Sequence, residues 1–258
     1  MAALYIALAL LVVPVSAQAV IESSEVRYGP RDAYRGHLVR PFGDGPFPAL
    51  VVIHEWWGLN DHIRAQAASL AESGYVALAV DLFGKSTTDP QEASRMSGEL
   101  DPKEAVAALL AAADYLRSRP FVSKDRVGSI GWCFGGRQSL NLAINDPRLA
   151  AAVIYYGRPV TESAEISRIR AAILGVFGEA DGSIPMDQVR QFQKALADAK
   201  VTAEIHTYPG AGHAFANPSR GEAFNAEAAI DAWTKTMTFL EKRLKGPAAS
   251  APPPPPFQ

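Results

Sequence analysis

The chain has 258 residues and a single cysteine, Cys133, so it can form no internal disulfide and build no thiolate metal cluster. It also lacks a dominant charge: 25 Lys and Arg against 27 Asp and Glu leave a formal net charge of −2. That supplies no broad basic field for nucleic acid or an anionic membrane surface. An apolar run of the roughly 20 residues needed to cross a bilayer is missing too, because the N-terminal run is interrupted at Pro14. HEWWG, from His54, has no second histidine four positions on, so it is not the H-E-x-x-H zinc motif. There is no G-x-S-x-G and no internal repeat. No metal, cofactor, nucleic acid partner or stable membrane insertion is expected, and a monomer is the expected form.

What is present divides into three parts. Residues 1–19, MAALYIALALLVVPVSAQA, join a short apolar stretch to a small-residue cleavage pattern and read as a signal peptide, although no Lys or Arg precedes Arg27. Export to a periplasmic or extracellular space is expected, with a short uncleaved anchor as the alternative. Residues 246–258, GPAASAPPPPPFQ, read as a disordered proline-rich tail. Between them, residues 20–245 read as one domain, the 48% hydrophobic content of the chain being enough for one sizeable core.

Two periodicities alternate through that domain. Short apolar runs at 49–54, 76–80, 127–132, 151–156, 171–177 and 201–208 predict strands. Helical spacing predicts helices near 62–73, 102–117, 136–144, 186–199 and 222–244. The order implies an α/β fold with a mostly parallel sheet and helices on both faces. Ahead of it, 24–28 and 35–40 alternate around a turn-rich segment and predict an antiparallel edge pair.

In such a sheet, reactive groups gather outside the carboxyl ends of the strands. Gly131-Trp132-Cys133-Phe134-Gly135 falls on a strand-to-helix turn, where small neighbours permit a strained backbone and a helix N-terminus favours a thiolate. Asp181 follows the 171–177 run, and His213 stands in the glycine-lined loop GAGHAF. Alone, Asp181 could be a helix cap and His213 a solvated histidine. Together, Cys133, Asp181 and His213 keep the order nucleophile, acid, histidine. His37, His54, His62 and His206 lie in or beside predicted elements and are less suited. The loop HEWWGL should lie beside the nucleophile turn, where one of its N–H groups could pair with that of Phe134 as an oxyanion hole. Glu55 in that loop is either a structural carboxylate or an acceptor of the thiol proton.

HEWWGLN, DLFGK, GWCFGG, YYG, GEADGSIP and GAGHAF, in this order, resemble the dienelactone hydrolase family of the α/β-hydrolase superfamily over nearly the whole domain. The resemblance implies an α/β-hydrolase fold with Cys133 as nucleophile, His213 as base, Asp181 as its orienting acid, and backbone oxyanion donors at Phe134 and Trp56. It implies that Glu55 contacts a resting neutral thiol and takes its proton when an anionic substrate binds. Family members that cleave dienelactone are similar in holding the substrate carboxylate with two arginines; those places hold Lys85 and Asn217 here. Lysine keeps the charge without the planar fork, and asparagine keeps hydrogen bonding without the charge. Trp56, Trp57, Phe83, Tyr155, Tyr156 and Phe215 are candidates for an aromatic pocket wall.

The function expected is hydrolysis of small carboxylic esters or lactones through a thioester acyl-enzyme, as in a carboxymethylenebutenolidase or related esterase, with no cofactor. Two other readings fit the same residues: a ligand-binding or thiol-sensing protein that has lost turnover, and an acyltransferase or peptidase using the same triad.

Overall fold

The computed structural model describes residues 19–246, so the signal segment and the proline-rich tail lie, save Ala19 and Gly246, outside the described residues. Eight strands form one sheet: β1 (Ile21–Tyr28), β2 (Tyr34–Pro41), β3 (Phe47–Ile53), β4 (Val76–Val80), β5 (Val122–Trp132), β6 (Ala151–Tyr155), β7 (Ala172–Gly178) and β8 (Ala203–Tyr208), in the spatial order β1-β2-β4-β3-β5-β6-β7-β8. β1 pairs antiparallel with β2, and β2 with β4; every pairing from β4 across to β8 is parallel. The sheet is therefore that of an α/β-hydrolase with an antiparallel N-terminal edge. Helices on both faces bury its centre, which is why β4, β6 and β7 are apolar runs without alternation. β1, at the edge of the sheet, stays mostly exposed.

The helices are α1 (Asp61–Glu72), α2 (Pro90–Glu99), α3 (Pro102–Arg117), α4 (Phe134–Asn145), α5 (Ser163–Ile166), α6 (Met186–Asp198) and α7 (Ala226–Leu240), the last continued by a π turn over Glu241–Lys245. Most start with a side-chain cap. The Asn60 side chain accepts the Ile63 N–H, and the Asp101 carboxylate accepts that of Lys103. α4 is different, since its cap position is Cys133, whose side chain makes no capping bond and stays free for chemistry. Among the described residues, no helix is long and apolar enough to cross a membrane.

Three differences from the sequence reading have physical causes. β5 begins at Val122, five residues before its apolar run, because Ser123 to Arg126 are partly or fully exposed and a register shift opposite β3 absorbs the extra length. α2 escapes a periodicity reading because only Ala93 and Met96 of its ten residues are buried. The helix expected over 222–244 starts at Ala226, where Asn225 caps it, and a 3₁₀ segment (Pro218–Ala223) precedes it.

Candidate active site

Five loops, leaving the carboxyl ends of β3, β5, β6, β7 and β8, bring the chemistry-bearing residues together. Cys133 follows β5 with φ 56° and ψ −117°, a left-handed conformation that side chains other than glycine rarely adopt. Its surroundings allow no bulk. A Cβ on Gly131 would meet the Gly135 carbonyl oxygen at 2.1 Å, and one on Gly135 would meet the Ile53 carbonyl oxygen at 2.2 Å. The two glycines thus let strand, turn and helix close upon one another and aim the thiol out of the turn.

The loop after β8 brings the His213 Nε2 to 3.1 Å from the Cys133 Sγ, and the Nδ1 to 2.7 Å from Asp181 Oδ2. Asp181, in the turn after β7, also accepts the Ser183 N–H (2.8 Å) and the Ile184 N–H (3.2 Å) on its other oxygen. The carboxylate therefore holds the imidazole in the tautomer that turns Nε2 toward sulfur. Burial would push His213 down, but hydrogen bonds to Asp181 and Cys133, and the charges of both, outweigh it and carry the imidazole up to about 10. Cys133, His213 and Asp181 form a triad with the geometry of nucleophile, base and orienting acid.

Glu55, after β3, is 2% exposed. Its Oε2 accepts a 2.6 Å hydrogen bond from the Asn217 side-chain amide. Burial raises its carboxyl above the ordinary range, while the Asn217 bond and the charges of Arg220 and His213 pull it down. The contact with the thiol implied by the family resemblance is absent at rest: Cys133 is bonded to His213, and Glu55 to Asn217. His54 braces this loop. Its Nε2 accepts the Leu82 N–H, so its Nδ1 carries the proton donated to the Glu55 carbonyl at 2.6 Å. Burial lowers its pKa, consistent with a neutral strut between the loops after β3 and β4.

A cavity of about 330 Å³ opens over the thiol, lined by Glu55, Trp56, Trp57, Cys133, Phe134 and Tyr156, among others, and by His213 at its base. The N–H of Phe134, first residue of α4, and that of Trp56 have no acceptor among the described residues. Tyr156, at φ 36°, sets its ring edge-on to His213 with centroids 5.3 Å apart.

Five further expected residues are elsewhere. Lys85 points to Glu92 of α2 and does not line the cavity, because a surface carboxylate meets its ammonium first. Asn217 is 1% exposed and bonded to Glu55, so it supports a cavity residue from behind. Phe215 is buried between Tyr156 and Tyr208 as core. Phe83 packs on Phe134 and His54, and Tyr155 sends its hydroxyl to Thr236 Oγ1 at 2.7 Å, so neither forms a wall. Sequence reasoning missed Arg137, Arg158 and Arg220, which do line the cavity. Two stood next to motifs already singled out, Arg137 directly after GWCFGG and Arg158 directly after YYG. Among the described residues, no cluster of three or more His, Cys, Asp or Glu is arranged to hold a metal.

The chain is similar to known proteins. A model of the Dienelactone hydrolase family matches residues 34–244. A Synechocystis protein provisionally named carboxymethylenebutenolidase is 33% identical over 228 residues, covering 81% of this chain and 92% of its own. A crystal structure of a provisionally assigned dienelactone hydrolase from Klebsiella pneumoniae superposes with a TM-score of 0.80 at 29% identity, over 86% of this chain and 99% of that one. A dienelactone hydrolase-like promiscuous phosphotriesterase from metagenomic libraries superposes with a TM-score of 0.79 at 28% identity, over 86% and 98%.

Proposed function

Because this chain belongs to the dienelactone hydrolase family and is a cysteine-dependent hydrolase of that type, we propose that it cleaves small carboxylic esters or lactones through a thioester on Cys133. The observation that carries this reading is the single imidazole joining the Cys133 Sγ at 3.1 Å to Asp181 at 2.7 Å. The proton shared between the Cys133 sulfur and His213 rests on Nε2 of the raised imidazole, and the sulfur attacks the carbonyl carbon as its thiolate. The tetrahedral oxyanion accepts hydrogen bonds from the free N–H groups of Trp56 and Phe134. Collapse breaks the C–O bond, and His213 returns its proton to the departing alkoxide or enolate, which in a lactone stays tethered to the acyl chain. His213 then takes a proton from water as it attacks the thioester; the acid leaves and the thiol is restored. Glu55, with its raised carboxyl beside the same cavity, is a second place for the thiol proton once a substrate occupies the site.

Steady-state hydrolysis of a neutral aryl acetate and a carboxylate-bearing enol lactone, by wild type and Cys133→Ala, tests the reading, with circular dichroism to check folding. Turnover that vanishes in a folded variant, with an acyl adduct on Cys133 seen by mass spectrometry, supports it. A folded wild type that turns over neither substrate and gains no adduct argues for the binding or sensing alternative. Export is proposed on residues 1–19 alone; a mature N-terminus at Val20 in a periplasmic or culture fraction is the expected result.

A further inference from the structure

Three arginines reach the catalytic cavity from three different segments: Arg137 from the first turn of α4, Arg158 from the loop after β6, and Arg220 from the 3₁₀ segment beyond His213. Arginines on the outer surface, such as Arg35, Arg64, Arg95 and Arg148, each hold a carboxylate. None of the cavity three forms an ion pair among the described residues, so their charges stay available. They are held in ways that leave their guanidinium groups without a carboxylate partner, although the Arg220 charge does lower the Glu55 carboxyl. The Arg220 guanidinium lies over the Trp57 ring, 5.1 Å from its centroid. Arg137 donates from Nε to Asn141 Oδ1 at 3.1 Å and from Nη1 to the carbonyls of Arg158 (3.4 Å) and Pro159 (3.3 Å). It thereby braces the loop that carries the exposed Arg158, and its own Nη2 has no acceptor among the described residues. Against these three cations the cavity lining offers one carboxylate, Glu55, buried and bonded to Asn217. The two positions expected to hold an acid group are occupied with other work, Lys85 with Glu92 and Asn217 with Glu55.

We propose that Arg158 and Arg220, with Arg137 bracing the first, form an anion subsite that selects esters or lactones bearing a carboxylate or phosphoryl group away from the scissile carbonyl. The planar guanidinium fork suits both anions, and the aromatic wall at Trp57 keeps Arg220 in place before the ligand arrives. The subsite rests on the reading of Cys133 as nucleophile only for its kinetic expression; the binding of the anion does not depend on it.

Two experiments separate those levels. The first compares kcat/KM for neutral, carboxylate-bearing and phosphonate-bearing aryl esters of matched size, using full-length wild type, Arg158→Gln, Arg220→Gln, the double variant and Arg119→Gln. Arg119 precedes β5, at the opposite end of the sheet from the cavity, and serves as the charge control. Wild type should prefer at least one anionic ester about tenfold or more, and that preference should shrink as salt is added. Each single variant should lower the anionic-to-neutral ratio, and the double variant should bring it near one; Arg119→Gln should leave it in place. Whichever anion has the larger ratio identifies the group recognised. The second measures Kd for non-hydrolysable anionic and neutral ketone analogues on Cys133→Ala and on Cys133→Ala with both arginines changed. If the double change leaves the Kd ratio or the kcat/KM ratio unaltered, or if Arg119→Gln lowers it as much, the subsite is refuted. Absence of turnover in wild type with an intact Kd ratio would instead refute the hydrolase reading and keep the subsite.

Discussion

Two buried carboxylates stand on either side of the catalytic cysteine, and the protein treats them differently. Asp181 is met by three donors, His213 on one oxygen and the Ser183 and Ile184 N–H groups on the other. Glu55 is met by one neutral amide, that of Asn217, and burial raises its carboxyl. A charge surrounded by fixed donors is suited to staying where it is and orienting a neighbour. A carboxyl with a single neutral partner in a dry pocket is suited to changing its protonation when its surroundings change. The first orients the histidine; for the second we propose the role of a proton reservoir.

The largest effect should come from breaking the rigid side. Asp181→Asn keeps an oxygen for the Ser183 and Ile184 N–H groups, so the fold should persist. The amide, however, cannot hold His213 in the same tautomer, and kcat/KM for a neutral aryl acetate should fall by about 10⁴-fold. A loss of less than tenfold in a folded variant would show that Asp181 does not orient the histidine. The same pair sets a pH dependence. The imidazole is carried to about 10 in the folded state, against its ordinary value near 6.5. A raised pKa means that the stabilisation from charged His213 is complete below about 6.5 and is lost as pH rises through about 10. Thermal melts across pH 6 to 10.5 should therefore show wild type losing more stability than His213→Gln toward the alkaline end. An imidazole that NMR finds neutral at pH 8 would contradict it.

Glu55→Gln should act more mildly on rate and in the opposite sense on stability. The glutamine carbonyl can still accept from Asn217, and a buried ionisable group is removed, so the melting temperature should hold or rise. Activity should fall by about a hundredfold if Glu55 takes the thiol proton. If iodoacetamide alkylates wild type and Glu55→Gln at the same rate, with and without an anionic ligand, the reservoir role is wrong. Asn217→Ala then sharpens the comparison, because it removes the only donor Glu55 has among the described residues and frees the Ser219 N–H that Asn217 Oδ1 accepts. Its expected cost is about 1–3 kcal/mol in chemical denaturation. A cost near zero would mean that Glu55 is already neutral and needs no donor.

Asp181's side of the site was legible in the sequence, and most of Glu55's side was not. Cys133, Asp181 and His213 each follow a strand and sit among glycines or turn formers, so local pattern and chain order are enough to place them. The strands themselves could be read because a doubly covered parallel sheet must be apolar along its length, as β4 and β6 are. What decides the partners of Glu55 is long-range: Asn217 is 162 positions away, and its role depends on how the loop after His213 folds back toward β3. The same holds for Lys85, whose charge goes to Glu92 on a helix with only two buried residues. The cavity arginines were adjacent to recognised motifs, but only packing reveals that they face the cavity without carboxylate partners.

The smallest expected effects come from the neighbouring tyrosines, which differ by one position and by one hydrogen bond. Tyr155 and Tyr156 are both fully buried. The Tyr155 hydroxyl is bonded to Thr236 Oγ1 at 2.7 Å, whereas the Tyr156 hydroxyl has no partner among the described residues. Removing a paired hydroxyl gives up its bond and strands the partner, so Tyr155→Phe should cost about 1 kcal/mol. Removing an unpaired one leaves every ring contact in place and relieves a desolvated dipole, so Tyr156→Phe should leave stability unchanged or raise it by up to about 1 kcal/mol. The Tyr156 ring would still stand edge-on to His213 and Phe215. Denaturant midpoints of the two variants side by side make the test internal, since both lose the same oxygen from the same strand end. If Tyr156→Phe proves as costly as Tyr155→Phe, its hydroxyl has a partner in solution. Glu55 and Cys133, which line the same cavity as Tyr156, would be the first places to look for one.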